Sequence, residues 1–204
     1  ILGLHYGGEV PDELPGRVVL KTMLVSPHAP QVLYENEVRF YRQVRPALDI
    51  ETPRVLASHF DPDSGQFGVI MEDLKVRGAR FPRATDPVTV DEVKGLLRTL
   101  ARLHGAFWRS ERLEGDLSWI ATPLAGGVSD FLQASGFDLV KEQVDNQRFK
   151  QDLIAPLGLS LEEMWDRLRR FQQECEERQP QTLLHGDTHI ANTYLLPDGD
   201  GGLF

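Results

Sequence analysis

A single cysteine in 204 residues, Cys175, leaves no disulfide framework within the chain and suits a reducing compartment. No apolar run approaches the roughly 18 residues that a bilayer-crossing helix needs, and the first residues lack a basic-then-apolar signal segment. Positive charge is also short. Twenty-two Lys and Arg stand against 31 Asp and Glu, a formal net charge of −9, which opposes broad binding along a nucleic-acid backbone. Repeats and low-complexity tracts are missing as well. These absences point to a cytoplasmic protein with neither nucleic acid nor membrane as partner. The charge deficit is uneven: residues 1–100 carry 12 basic and 14 acidic side chains, residues 101–204 carry 10 and 17. The chain starts at Ile1 rather than Met and ends at Leu203-Phe204 inside a strand-like pattern, so the expectation is part of a longer protein.

The first half alternates strand and turn signals around one helix. Ile1 to Tyr6 reads as a strand, and the Gly/Pro-rich stretch from Gly7 to Gly16 as a connection. Arg17 to Val25 reads as an apolar strand interrupted by Lys21, ended by Ser26-Pro27. Leu33, Glu37, Phe40, Tyr41 and Val44 share one helical face, and Pro46 stops that helix. Arg54 to Phe60, the turn from Asp61 to Gly65, and Gln66 to Met71 form a hairpin by pattern. The second half reads as mostly helical. Thr89 with Glu92 makes a capping box ahead of a stripe of Val93, Leu96, Leu97, Leu100, Leu103 and Phe107. Ser160 with Glu163 repeats that signature ahead of Leu161, Met164, Trp165, Leu168, Phe171 and Cys175. Residues 110–159 carry weaker helical signals without clear limits. After Pro180 come short strands at Thr182–Leu184 and Tyr194–Leu196, a turn from Pro197 to Gly201, and a last strand starting at Leu203. The pattern is α+β: a small antiparallel sheet lobe, then a helical lobe, joined near residues 71–75, with a cleft between lobes as a natural ligand site.

The densest chemical cluster is His185-Gly186-Asp187-Thr188-His189-Ile190-Ala191-Asn192. Phosphoryl transfer needs a carboxylate to orient and deprotonate the acceptor hydroxyl, and an oxygen ligand for the magnesium that neutralises nucleotide phosphates. Asp187 and Asn192, five apart and preceded by His185, have the spacing of a kinase catalytic loop. A turn capped by its own Asp, Thr and Asn is the plainer reading. Metal ligation by His185, Asp187 and His189 in a hydrolase is a third.

Lys21 lies mid-strand between apolar neighbours, where a lysine either snorkels from a sheet edge or reaches an anion. Glu37, on the apolar face of the next helix, is a candidate partner, whereas Glu35 lies about 200° away at 100° per residue. A Lys–Glu pair that holds the lysine against nucleotide phosphates is a kinase arrangement. The strand Gly68 to Met71 runs into Glu72-Asp73-Leu74, a linker whose backbone suits an adenine edge but reads equally as a plain strand end. His104, on its helix's apolar stripe, reads as packing support.

In order, these segments resemble the aminoglycoside phosphotransferase/choline kinase-type superfamily of small-molecule kinases, most closely its ecdysteroid kinase-like branch. The segments are Val18-Val19-Leu20-Lys21, Glu37-Val38-Arg39-Phe40-Tyr41, Thr52-Pro53-Arg54-Val55, Met71-Glu72-Asp73-Leu74, Leu100 to Trp108, and Leu183-Leu184-His185-Gly186-Asp187 through Asn192-Thr193-Tyr194. The resemblance implies a two-lobed protein-kinase-like fold: a sheet lobe with one helix over 1–71, a hinge at 72–75, and a partial helical lobe over 76–204 holding a catalytic loop at 185–192. It implies transfer of the ATP γ-phosphoryl group to a hydroxyl of a small molecule with Mg2+. Lys21 would bind the phosphates and Glu37 would hold it. Met71, Glu72 and Leu74 would border adenine, Asp187 would be the catalytic base, Asn192 a magnesium ligand, and His185 a structural loop residue. The family's glycine-rich loop would precede Ile1, and its second magnesium-binding Asp would follow Phe204. The acidic second half hints at a cationic acceptor. The competing expectation is a non-catalytic protein that binds a nucleotide or a partner.

Overall fold

The structure, a computed structural model, describes residues 1–4, 14–22, 31–178, 180–198 and 201–203. Most of the Gly7–Gly16 connection, the Ser26-Pro27 stop, the distal ends of the first two strands and Gly199-Asp200 lie outside the described residues. The chain divides into two compact units, Ile1–Trp108 with Thr182–Phe204, and Arg109–Gln181.

The first unit is built on an antiparallel sheet of β1 (Leu2–Gly3), β2 (Arg17–Thr22), β3 (Val55–Phe60) and β4 (Phe67–Glu72), in the order β1-β2-β4-β3. Period-two alternation sets its faces. Phe67, Val69 and Met71 of β4 are buried and pack with Val38 of helix α1 (Gln31–Arg39), joined by Val19, Tyr34, Tyr41, Val55 and Phe60. Val19 and Lys21 are two apart and share a face of β2, so the packing of Val19 turns Lys21 toward α1 as well.

The helix itself departs from the expected pattern. Tyr41 and the fully buried Val44 keep to the expected face, but Val38 and Tyr34 join the packed side and Leu33 is 45% exposed, so Glu37 flanks the packed face instead of lying within it. Its α-helical portion ends at Arg39. Residues Phe40–Val44 form one π turn, with Arg45 N–H donating to the Phe40 carbonyl, and Arg45–Ala47 form a 3-10 turn. Pro46 has no N–H to continue an α pattern, which fits the change of winding just before it.

Asp73 ends the sheet strand. Its side chain accepts from Lys75 N–H at 3.1 Å and caps a 3-10 turn over Leu74–Arg77. The expected linker is thus structured, with Glu72 still in β4. Helix α2 (Val90–Ala106) begins in the expected capping box, with both reciprocal bonds of Thr89 and Glu92 made, a cap of about 1 kcal/mol. Leu96, Thr99, Leu103 and Phe107 are buried, but Val93 and Leu97 are 39% and 56% exposed, so the expected stripe is narrower than its apolar residues.

The reason is what covers α2. Strands β5 (Thr193–Leu195) and β6 (Gly201–Leu203) pair antiparallel, and the Thr99 hydroxyl donates to the Gly201 carbonyl at 2.6 Å. A Cβ on Gly201 would meet Leu96 at 2.6 Å, and one on Gly202 would overlap the Tyr194 ring at 2.0 Å. The last strand therefore starts at Gly201, two residues before Leu203, because only glycine lets it lie this close. Thr182–Leu184 is not a strand: it pairs with no strand among the described residues and is held by the Thr182 hydroxyl donating to the His104 carbonyl at 2.5 Å.

The second unit contains helices α3 (Gly127–Asp145), α4 (Arg148–Ile154) and α5 (Leu161–Arg178). The ring of Phe137 meets Trp165 edge-on at 5.7 Å, and Gly136 lets Trp165 approach α3. Ser160 and Glu163 form the expected cap of α5. Leu168 and Phe171, assigned to its apolar stripe by spacing, are 45% and 63% exposed.

Candidate active site

Two pairs of the residues singled out by sequence come together. The first is Lys21 with Glu37. Lys21 Nζ donates to Glu37 Oε1 at 2.9 Å and lies 2.9 Å from Oε2. The sheet face shared with Val19 brings the lysine to α1, and the position of Glu37 one residue before buried Val38 brings the acid to the sheet. The lysine side chain remains 49% exposed, the glutamate 20%. An ammonium has three protons, so a pair this open holds the cation in place and leaves donors for an anionic ligand.

The second pair is Asp187 with Asn192. Gly186 has φ +84°, a left-handed conformation that suits glycine, and it turns the chain just before Asp187. His185 Nδ1 accepts from the Asp187 N–H at 3.3 Å, and the Asp187 carbonyl accepts from His189 N–H at 3.0 Å. A 3-10 turn over Ile190–Asn192 brings the Asn192 amide back, where Nδ2 donates to Asp187 Oδ2 at 2.9 Å and to its carbonyl at 3.0 Å. The Thr193 hydroxyl bonds the Ile190 carbonyl at 2.7 Å and closes the turn at the start of β5. Asp187 is thus fixed by its neighbours yet 75% exposed, as a group that meets a ligand must be.

The donor set suits magnesium. Asn192 spends its NH2 on Asp187, which leaves its amide oxygen beside the carboxylate, and two hard oxygen donors favour a hard cation. Imidazole contributes less: His185 uses Nδ1 within the loop, and His189 Nε2 lies 3.7 Å from Asp187 Oδ2. Among the described residues no three His, Cys, Asp or Glu side chains converge as a metal site.

The linker residues present something different. Met71 packs with Val38, Phe67 and Val69, while Leu74 packs with Tyr194 and Leu196. Glu72 Oε1 accepts from Arg54 N–H at 2.9 Å and from Arg77 Nη1 at 3.2 Å. Their side chains are committed inward or to one another, so this segment would meet a ligand through its backbone. Asp73, read from sequence only as part of the linker, is buried and forms an ion pair with Arg17 at 2.7 Å, tying the linker to the start of β2. The His104 side chain is half-buried, and its carbonyl anchors Thr182, just upstream of the loop.

Three further residues, Glu51, Arg77 and Tyr194, were given no role by the sequence. The Tyr194 hydroxyl, on a wholly buried ring, donates to Glu51 Oε1 at 2.6 Å, and Arg77 grips Glu51 through both terminal nitrogens at 2.8 and 3.1 Å. These bonds keep the Glu51 carboxyl below the usual carboxylate range although partial burial opposes ionisation, and burial pushes the Tyr194 hydroxyl far up. Glu51 is therefore an anion and Tyr194 a proton donor across ordinary pH.

No curated protein and no solved structure matches the chain. A family description does: that of the phosphotransferase enzyme family, APH, covers residues 12–204. The match spans both pairs and the linker between them, and a small antiparallel sheet with helices is compatible with a kinase-like fold. The chain belongs to the APH phosphotransferase enzyme family.

Proposed function

We propose that the protein transfers the γ-phosphoryl group of ATP to a hydroxyl of a small molecule in a Mg2+-dependent reaction. Family membership supports phosphotransferase chemistry, and the observation that carries the finer reading is the exposed Asp187 carboxylate held by Asn192. Lys21, steadied by Glu37, binds the nucleotide phosphates, and the backbone of Met71, Glu72 and Leu74 borders the adenine. Asp187 accepts the proton of the acceptor hydroxyl as its oxygen bonds to the γ-phosphorus and the bond from that phosphorus to the β,γ-bridging oxygen breaks, releasing ADP. Bound Mg2+ would neutralise phosphate charge, with Asn192 among its ligands. Catalysis on this reading is positioning and charge neutralisation on groups already aligned.

The order of the motifs further supports a place in the ecdysteroid kinase-like branch, with a two-lobed organisation hinged at 72–75. The acidic half favours a cationic acceptor, and lone Cys175 favours a cytoplasmic setting. No described helix is long and apolar enough to cross a membrane.

The test is a coupled ADP-release assay over a panel of hydroxylated amines, sugars and sterols with Mg-ATP and Mg-GTP, run on the protein and its Asp187→Ala variant. Turnover should fall by about 10³-fold in the variant while the nucleotide-induced thermal shift persists. Undiminished turnover refutes the role of Asp187. A nucleotide shift without turnover on any acceptor would favour a binding protein.

A further inference from the structure

The network of Tyr194, Glu51, Arg77 and Glu72 lies outside both pairs of the candidate site, yet it spans the segments that carry them. Tyr194 follows Asn192 by two residues and pairs across β5–β6 with Gly202. Its hydroxyl reaches Glu51, which stands 143 residues earlier in the connection between α1 and β3. Arg77 holds the same carboxylate and also Glu72, at the end of β4, whose other bond is to the Arg54 amide. One carboxylate thus receives the strand behind loop 185–192 and the segment behind Met71 to Leu74, beside the two backbone bonds that pair Arg80 with Leu195 and the Leu203 N–H bond to the Glu51 carbonyl. Thr52, next to Glu51, accepts from Arg45 Nε at 2.5 Å and ties the same connection to the end of the helix that carries Glu37.

We propose that Glu51 is a positioning residue for phosphoryl transfer, which holds Asp187 and Asn192 in register with the nucleotide-binding segment through Tyr194 and Arg77. The proposal rests on the phosphotransferase reading. Its physical basis is the steep distance dependence of positioning. A loop free to drift by an ångström loses most of the benefit of alignment, even when every reacting group is still present. The Tyr194 ring is buried and packed closely against Gly202, so it serves as the firm side of the contact. Glu51 is the partner that can be shortened: its carbonyl is held by the Leu203 N–H, and its carboxylate reaches out to Tyr194 and Arg77. A cavity of about 470 Å³, lined by Tyr41, Arg45, Thr52 and Arg54 among others, opens beside Glu51, Glu72 and Arg77. Substitution at Glu51 therefore enlarges an existing water-accessible space and does not void the core, which makes the tether separable from folding.

The experiment compares Glu51→Ala, Glu51→Gln, Tyr194→Phe and the double variant Glu51→Ala/Tyr194→Phe with the unaltered protein. The readouts are kcat and KM for ATP, and amide hydrogen exchange over residues 187–192. Glu51→Ala and Tyr194→Phe should each lower kcat by about 10-fold with KM for ATP within about 2-fold, and the double variant should be no worse than either, because one tether is cut once. Glu51→Gln should keep most of the rate, since its amide oxygen still accepts from Tyr194 and Arg77 Nη1 and only the contact of Arg77 Nη2 with the second oxygen is lost. Exchange over 187–192 should quicken by about 10-fold in the Ala and Phe variants and stay near the original in Gln. Unchanged exchange in Glu51→Ala overturns the proposal whatever the activity, as does a loss that appears in KM alone or is equal in Gln and Ala. Faster exchange in a protein that transfers no phosphoryl group keeps the tether and removes the phosphotransferase reading, so the two failures are told apart.

Discussion

The two compact units use their charges differently. In the helical unit, Arg112–Asp116 in a turn and Lys141–Asp145 and Arg148–Asp152 on exposed helix surfaces join residues four apart at 2.7–2.9 Å. Such pairs support the helix that carries them and little else. The unit with the candidate site has local pairs too, Glu35–Arg39, Arg83–Asp86 and Asp91–Lys94, but adds contacts that are long in sequence. Lys21 reaches Glu37 across 16 residues, Arg77 reaches Glu51 across 26, and the Tyr194 hydroxyl reaches Glu51 across 143. Arg17 meets Asp73, whose side chain is only 3% exposed. A local pair can be lost without moving anything else, whereas a long-range one fixes the relation between segments that the chain connects only loosely. Polar contacts of the second kind mark where geometry, beyond mere helicity, is being maintained.

The hardest way to break that contrast is through the backbone that seats the long-range contacts. Gly202→Ala would drive a methyl into the buried Tyr194 ring, whose Cζ lies 2.0 Å from the ideal Cβ position. The ring cannot swing away without losing its bond to Glu51. The expected cost is about 3 kcal/mol, read as a fall in denaturation midpoint at unchanged m-value. A midpoint within error of the original would show that Tyr194 has room to move, and that the tether to Glu51 is looser than its 2.6 Å bond implies.

Where the sequence was readable, the signal was local. Thr89 with Glu92 and Ser160 with Glu163 cap their helices as the spacing requires, because a capping box is complete within four residues. The β3–β4 hairpin likewise arises from alternation around one turn. Lys21 with Glu37 was legible because an acid near an apolar helix face needs a partner, and an apolar strand with one lysine supplies it. Asp187 with Asn192 was legible as spacing in a loop. The hidden features were set by packing partners that no window contains. Of the expected face of the first helical segment, Tyr41 and Val44 are packed but Leu33 and Glu37 give way to Tyr34 and Val38, because the sheet selects the face of α1 and the π turn rotates the residues after Arg39. By pattern Gly201 ends a turn and Gly202 falls outside the strand, since only the neighbouring Leu96 and Tyr194 reveal them as a close-packed strand. Glu51 carried no local mark at all, because its partners lie 26 and 143 residues away.

A milder way to sharpen the comparison is to cut the long-range ion pair at the candidate site while leaving the fold in place. Lys21 is half exposed, so its removal should cost little stability but should misplace the phosphates it is proposed to bind. Lys21→Ala is expected to lower kcat/KM for ATP by about 10²-fold with a melting temperature within about 2 °C of the original. Glu37→Gln, which keeps shape and a hydrogen-bond acceptor but loses charge, should fall between the two. Equal kinetics for Lys21→Ala and the unaltered protein would leave the pair as a surface contact no different in kind from those of the helical unit.

The smallest effect is expected where the contrast says charge does least. Arg112 makes a forked contact with Asp116, its Nη2 at 2.8 Å from Oδ2 and its Nε at 3.1 Å from Oδ1, a geometry as good as any at the candidate site. The pair holds the guanidinium above and the carboxyl below their ordinary values, so both stay charged in neutral solution. Both groups nevertheless face solvent, and they are four residues apart, so the contact constrains only a turn that the backbone already forms. Arg112→Ala should shift the melting temperature by no more than about 2 °C and leave phosphoryl transfer unchanged. Good geometry would then have failed to predict consequence, and sequence separation with burial would have predicted it. A large loss of stability or activity from Arg112→Ala would reverse that ordering and make the local pairs equal partners in holding the molecule together.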